Sequence, residues 1–287
     1  MKIIKPSVEF LGEVPTDYEG NLQFIERAGR TCYKSESKGD SEAFVRKLIK
    51  SGHLAMVEHS NFVIRKRELD FIYDDGISAA VGKYLTFRRY NKGVAYIGGS
   101  LTAWAQNAVR NGFPVYADEF AELFCKLFDI SDEYIGGSGE WESCPHDEIP
   151  KSLHRYSVKF ICDRGVSHEL VRHRPCSFAQ ESTRYVNYGG KDMEFIEPTG
   201  FEDWSGLSKY EFIRACEQGE AAYNIMLRGK SSPQQARAVL PNALKTEIIV
   251  TADAAEWAHI KRLRTDKAAH PDMQRVMNMV PWEEILC

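Results

Sequence analysis

The chain has no apolar run approaching the roughly 18 residues that a membrane span needs. Its start, "MKIIKPSVEF", lacks the apolar stretch of a secretory signal. These absences predict a cytoplasmic protein that does not enter a membrane. None of the seven cysteines (Cys32, Cys125, Cys144, Cys162, Cys176, Cys216, Cys287) stands in a C-x-x-C pair, so neither a disulfide framework nor a zinc site is signalled and reduced thiols are expected. The H-E-x-x-H arrangement of zinc proteases and the G-x-S-x-G elbow of serine hydrolases are also missing. No metal is expected. A strong excess of one charge is absent too: 37 Lys and Arg face 41 Asp and Glu, a net −4. That argues against broad nucleic-acid binding, yet a basic pocket can still sit inside a mildly acidic surface.

What is present is ordinary globular composition, 43% hydrophobic and 27% charged over 287 residues, enough for a buried core and too apolar for disorder. "DSEAFVRKLIKSGH" predicts a helix capped by Asp40 or Ser41, with Phe44, Val45, Leu48 and Ile49 as its apolar stripe and Gly52 at its stop. "HRYSVKFICDRG" alternates Tyr156, Val158, Phe160 and Cys162 with Ser157 and Lys159, the pattern of a half-buried strand. A short helix from Val166 to about Arg174 should follow, stopped by Pro175. Further on, Leu207 to Arg228 reads as a long helix, "LKTEIIVTAD" as a strand, Ala254 to Leu263 as a helix, and the chain from Pro271 as helix again. Mixed strands and helices without strict alternation predict an α+β fold, a mixed sheet packed with helices. Phe128 to Pro150, acidic and rich in Gly and Ser, reads as a surface excursion. A faint echo links "GGSLTAWAQ" at 98–106 with "TADAAEWAH" at 251–259.

The chemistry-bearing residues concentrate in "LVRHRPCSFAQESTRYVNY", Leu170 to Tyr188. Arg172, His173 and Arg174 are either a solvated helix end, where cations complement the negative terminus, or, with Arg184, Arg237 and Arg264, a set of planar donors for phosphate. Cys176 beside His173 and Arg174 is either an activated thiol or a small buried hydrophobe. Ser182 lacks an adjacent base and reads better as a hydrogen-bonding loop hydroxyl than as a nucleophile. His53, Glu58 and His59 in "SGHLAMVEHSNF" are either loop and core contacts or ligand-binding groups. Arg264, two residues before Asp266, reads as no more than half of a surface ion pair.

Four segments in order change this weighing. "RHRPCSFAQES", which continues as "STRY", fits Arg-His-Arg, seven residues, Ser; "GHLAMVEH", "QQARAVLP" and "LRTDKAAHPDMQ" accompany it. Together they resemble the flavin-dependent thymidylate synthases, through that motif and through the family's Gly-His-x-x-x-x-Glu-His, Ala-Arg-x-x-Leu-Pro and Leu-Arg segments. The resemblance implies a flavin-dependent thymidylate synthase-like fold over residues 1–287 as a single domain, with an insertion at about 65–150 where the family has only a strand and a short helix. It implies a homotetramer with active sites between subunits. FAD is the expected cofactor and dUMP the substrate. Methylenetetrahydrofolate would donate the carbon and NADPH the reducing equivalents, without a cysteine nucleophile.

Residue by residue, the resemblance implies that Arg172, His173 and Arg174 contact FAD and that Arg172 also reaches the nucleotide. Glu169, Gln180, Ser182, Thr183, Arg184 and Arg237 would line the dUMP site, with Gln180 near the flavin as well. Arg264 would sit at the uracil and, with Ser182, form the catalytic pair; His53 would approach flavin or folate, and His259 the flavin. Two departures stand out. Asp253 and Ala255 replace the asparagine and arginine that the family often sets against the flavin's adenylate side. Glu169 stands where many members have glutamine, and Arg172 is the expected partner for its charge. These departures motivate a second reading, a nucleotide-binding homologue without the reaction. A third, a cysteine-dependent synthase, rests on the Pro175–Cys176 dipeptide alone.

Overall fold

In the computed structural model, which describes residues 1–67, 85–90, 93–111, 127–128 and 141–286, strands and helices mix without strict alternation, the α+β class expected from the patterns. The chain opens with β1 (Lys2–Ile4), β2 (Ser7–Glu13), α1 (Tyr18–Tyr33), α2 (Ser41–Lys50), α3 (Leu54–Val57), β3 (Phe62–Lys66), β4 (Thr86–Tyr90), β5 (Val94–Gly99), α4 (Leu101–Asn111) and β6 (Trp141–Ser143). It continues through β7 (Arg155–Asp163), α5 (Arg164–Leu170), β8 (Ser177–Gln180), β9 (Glu194–Ile196), α6 (Gly206–Arg228), α7 (Pro233–Ala236), β10 (Lys245–Asp253), α8 (Ala254–Arg264), α9 (Pro271–Met277) and α10 (Trp282–Leu286). The chain divides into two compact units: residues 1–12, 30–36 and 157–287, and residues 13–29 and 37–156.

The first unit is built on a four-stranded sheet in the order β2-β7-β10-β8. β10 is its central element: Thr246, Ile248, Ile249, Val250, Thr251 and Ala252 are all buried, as in a strand covered on both faces. β8 runs antiparallel to it, Ala179 opposite Ile249. β7 buries Val158, Phe160 and Cys162 as its alternation predicts. Ser157, expected to face water, is buried instead, its hydroxyl 2.5 Å from that of Thr251 on β10. The hydroxyl pair satisfies what burial would otherwise leave unbonded.

A separate layer packs α6 against Met193, Phe195, Ala236 and Leu244 through Cys216 and Tyr223. Gly219 permits the approach, since a Cβ there would stand 2.9 Å from Pro241 Cδ. This contact seats the Ala-Arg-x-x-Leu-Pro segment, and with it Arg237.

The second unit holds an antiparallel sheet in the order β4-β5-β3-β6. α2 begins as expected, the Asp40 carboxylate accepting from Ala43 N–H, and Gly52 at its stop has the left-handed φ of +74° that favours glycine. The surface excursion expected over 128–150 is corrected at its end. Trp141–Ser143 pairs with β3, and Trp141, Cys144 and Ile149 are buried; these apolar groups outweigh a polar composition. Much of the expected insertion, with Cys125, lies outside the described residues.

The faint echo in sequence marks a shared joint. β5 passes into α4 through Ser100, whose hydroxyl accepts from Ala103 N–H, and β10 passes into α8 through Asp253, whose carboxylate accepts from Glu256 N–H. Four residues after each cap stands a fully buried tryptophan, Trp104 or Trp257. Cap and buried ring together fix the direction in which each helix leaves its strand.

Candidate active site

α5 ends sooner than its sequence suggests. Asp163 caps its start, accepting from Val166 N–H, but the last helical residue is Leu170, and Val171 closes the turn on the carbonyls of Ser167 and Glu169. The helix expected to reach Arg174 is therefore corrected, because the chain turns before the residue that Pro175 restricts. Arg172 to Arg174 lie in that turn, with His173 buried and both arginines exposed. Among the described residues neither arginine pairs with a carboxylate.

His173 is enclosed by charge. Arg264, at the end of α8, donates from Nε to His173 Nε2 at 3.0 Å, from one terminal nitrogen to Glu169 Oε2 at 2.7 Å and from the other to the Glu169 carbonyl at 3.1 Å. Glu256 Oε1 stands 3.3 Å from His173 Nδ1, and the His259 ring crosses that of His173 edge-on at 6.0 Å. Burial, then the positive charge of Arg264, then His259 drive the His173 pKa down to about 4. The imidazole is neutral at physiological pH.

Two expectations change here. Glu169 pairs with Arg264 rather than Arg172, since α8 brings a guanidinium to the end of α5. Arg264 is no surface pair: its side chain is 20% exposed and holds three acceptors. A guanidinium carries five N–H donors, so two remain for a ligand.

β8 carries the motif onward. Gln180 spends its amide nitrogen on the hydroxyls of Ser167 (2.8 Å) and Thr246 (3.2 Å), leaving its carbonyl as the group to offer. Ser182 accepts through its hydroxyl from Arg184 N–H at 3.2 Å, a local turn that holds the loop. Arg237 donates to the Thr183 hydroxyl at 3.1 Å, joining the Ala-Arg-x-x-Leu-Pro segment to the Arg-His-Arg-x7-Ser loop. Arg184 is exposed, its guanidinium 5.5 Å from the Tyr185 ring centre. Cys176 is buried, as packing predicts and a reactive thiol would not be.

The unit therefore brings Glu169, His173, His259 and Arg264 together, with Arg172 and Arg174 beside His173 in the turn after α5, and links Thr183 to Arg237. His53 belongs to the other unit, at the start of α3, where its carbonyl accepts from Met56 N–H.

Two features escaped sequence reading. Glu256 is one; Glu256-x-x-His259 on a predicted helix could have shown it, since residues three apart share a face. The other lies beneath the loop. Glu181, 1% exposed, is met by Lys34 Nζ (3.4 Å), Lys245 Nζ (3.3 Å) and the Tyr188 hydroxyl (2.8 Å). Lys245 also reaches Glu247 at 2.5 Å, and Lys159 closes on Glu247 at 2.6 Å. Burial pushes Glu247 up, but hydrogen bonds from Lys159 and Lys245 outweigh it and hold the carboxyl at about 2. Burial, then the Glu181 charge, raises Tyr188 far above its ordinary value.

An α+β unit in which Arg264 grips a buried neutral histidine, with the exposed Arg172 and Arg174 on either side of it in the chain, offers guanidinium donors of the kind that take anionic ligands. Residues 151–283 match the family model described as "Thymidylate synthase complementing protein". The flavin-dependent thymidylate synthase of Mycolicibacterium vanbaalenii is 37% identical over 142 residues, 43% of this chain and 56% of that protein. Those of Mycobacterium tuberculosis H37Rv and Mycobacterium marinum are each 35% identical over 142 residues, with the same shares. The chain spans about half the length of the curated relatives it matches. The resemblance read from the motifs is borne out over 151–283, which holds the Arg-His-Arg, Ala-Arg-x-x-Leu-Pro and Leu-Arg segments. The Gly-His segment lies before that range.

Proposed function

We propose that this chain is a flavin-dependent thymidylate synthase that converts dUMP to dTMP, with methylenetetrahydrofolate as carbon donor and NADPH as reductant. The observation that carries the reading is the Arg264 clamp: a fixed cation, held by Glu169 and His173, with two N–H donors to spare. Aimed at a uracil, those donors stabilise negative charge developing at N3 and O4, which makes C5 the nucleophile. No thiol attack is needed, in keeping with the burial of Cys176.

The donor set suits FAD at one end. Arg172 and Arg174 offer exposed guanidiniums to a pyrophosphate, and His173, His259 and the Gln180 carbonyl offer polar edges. When bound, FAD supplies the hydride that completes the methyl group. Ser182, Thr183, Arg184 and Arg237 are assigned to the nucleotide and its phosphate. His53 is assigned to flavin or folate through the Gly-His segment, and the residues between 65 and 150 to an insertion.

A homotetramer and a cytoplasmic place of action belong to the same reading. Support for assembly comes from α6, where Leu207, Tyr210 and Ile225 are 72%, 60% and 59% exposed. No helix among the described residues is long and apolar enough to cross a membrane.

One observation favours the second reading, a nucleotide-binding homologue without the reaction. Asp253 spends its carboxylate on the α8 cap and the Ala255 side chain has no donor, so that end of a flavin has fewer side-chain partners. Purified protein with a flavin absorbance band, forming dTMP from dUMP, methylenetetrahydrofolate and NADPH, decides for the synthase. Tight dUMP binding with neither flavin nor turnover decides for the homologue.

A further inference from the structure

His173, Glu256 and His259 bring ligand atoms within 4.8 Å of one another, the composition of a two-histidine, one-carboxylate metal triad. The arginines decide against a metal. A neutral imidazole has one ring nitrogen with a lone pair and one with a proton. Arginine can only donate, so its contact with Nε2 assigns the His173 lone pair to that atom. Arg262 likewise occupies Nδ1 of His259 at 2.9 Å. A metal would require both rings to exchange proton and lone pair, setting N–H against N–H at each arginine. The proton of His173 is therefore on Nδ1, the ring nitrogen that has the Glu256 carboxylate as its charged neighbour at 3.3 Å.

We propose that Glu256 fixes the Nδ1–H tautomer of His173 and, through that ring, aims Arg264: it is a positioning residue for nucleotide binding. Glu256 is suitably held, with its backbone N–H on Asp253 Oδ1 at 2.8 Å and its side chain 13% exposed. His173 is tighter still, at 5%, so water is a poor substitute for the carboxylate. Without the negative charge beside Nδ1, the imidazole is free to move its proton to Nε2. That tautomer points a donor at the Nε–H of Arg264, which then keeps only its two bonds to Glu169. The guanidinium swings about Glu169, and its spare N–H groups lose their aim. The catalytic consequence rests on the reading of Arg264 as a uracil ligand; the tautomer does not.

The test uses the full chain labelled with 15N-histidine, and the variants Glu256→Gln, which keeps an acceptor, and Glu256→Met, which removes it. Both replacements preserve length and helix propensity. Long-range proton–nitrogen spectra, with His173 assigned by its loss in His173→Asn, should show an unprotonated Nε2 in the wild type and in Glu256→Gln, and a tautomer mixture in Glu256→Met. Calorimetry with dUMP should show roughly tenfold weaker binding in Glu256→Met, the scale of one lost hydrogen bond at a charged site. Binding in Glu256→Gln should recover to within about threefold of wild type on the same scale. A wild-type ring protonated at Nε2, an unchanged ring in Glu256→Met, or Glu256→Gln no better than Glu256→Met overturns the proposal. Wild-type protein that binds no dUMP sinks the enzymatic reading instead, while the ring spectra still decide the tautomer.

Discussion

Removing Lys245 should reveal how the buried charges beneath the motif loop are balanced. The perturbation is Lys245→Met, which keeps the stem and deletes the ammonium. In the native unit that ammonium stands 3.3 Å from Glu181 and 2.5 Å from Glu247, itself only 6% exposed. Breaking a buried pair from one side costs about 3–5 kcal/mol, because the other charge stays buried without its partner. Here the lower end applies, about 3 kcal/mol, since Glu181 keeps Lys34 and Tyr188 and Glu247 keeps Lys159. The double variant Glu181→Gln/Lys245→Met removes both ends while leaving Tyr188 an acceptor. It should lose only about 1 kcal/mol, about 2 kcal/mol less than the single variant, because no buried charge is then left without its partner. Urea unfolding followed by circular dichroism measures both as midpoint shifts at constant slope. A single variant that loses under 1 kcal/mol, or a double variant no more stable than the single, would refute the argument.

Three further outcomes follow from the same geometry. Stability should fall with acid in two windows. His173, neutral in the fold with a pKa near 4 against 6.5 unfolded, contributes stability that is lost as pH falls from about 6.5 to 4. Glu247, near 2 against 4.5, contributes stability that is lost between about 4.5 and 2. Urea midpoints from pH 7 to pH 3 check this, and a flat profile contradicts it. Arg264→Ala should lower dTMP formation by roughly a hundredfold or more, as removal of a charge-stabilising donor does; unchanged steady-state kinetics would contradict the clamp. Cys176→Ala should leave turnover within about threefold, whereas a covalent nucleophile would lose several orders of magnitude in a rapid-quench assay.

The elements were legible wherever the period was clean. The apolar alternation of β7, the Asp40 cap of α2 and the long α6 all stand within a residue or two of their expected places. Ser157 was not legible, because a serine looks outward until a second hydroxyl, Thr251 on the neighbouring strand, provides a buried partner. β6 was hidden by the Gly, Ser and acidic residues before it; its pairing with β3 is long-range and leaves no local sign. The arginines of the site could be named from their motifs. Which acceptor each one holds could not, for Glu169 and Arg264 meet only through the fold. Lys245, read as the second residue of a strand, gave no hint of Glu181 because nothing in either neighbourhood announces a buried ion pair.

The Arg264 clamp has a mechanical side. One of its bonds goes to the Glu169 carbonyl at the end of α5, a group that Arg172 N–H also reaches. α5 and α8 each leave adjacent strands of one sheet, β7 and β10, so the guanidinium acts as a rivet between their far ends. A ligand that draws on Arg264 therefore pulls on the turn from Val171 to Cys176. Slowed or quickened amide exchange across that turn would report occupancy at the guanidinium, a gauge read from the backbone rather than from the reaction.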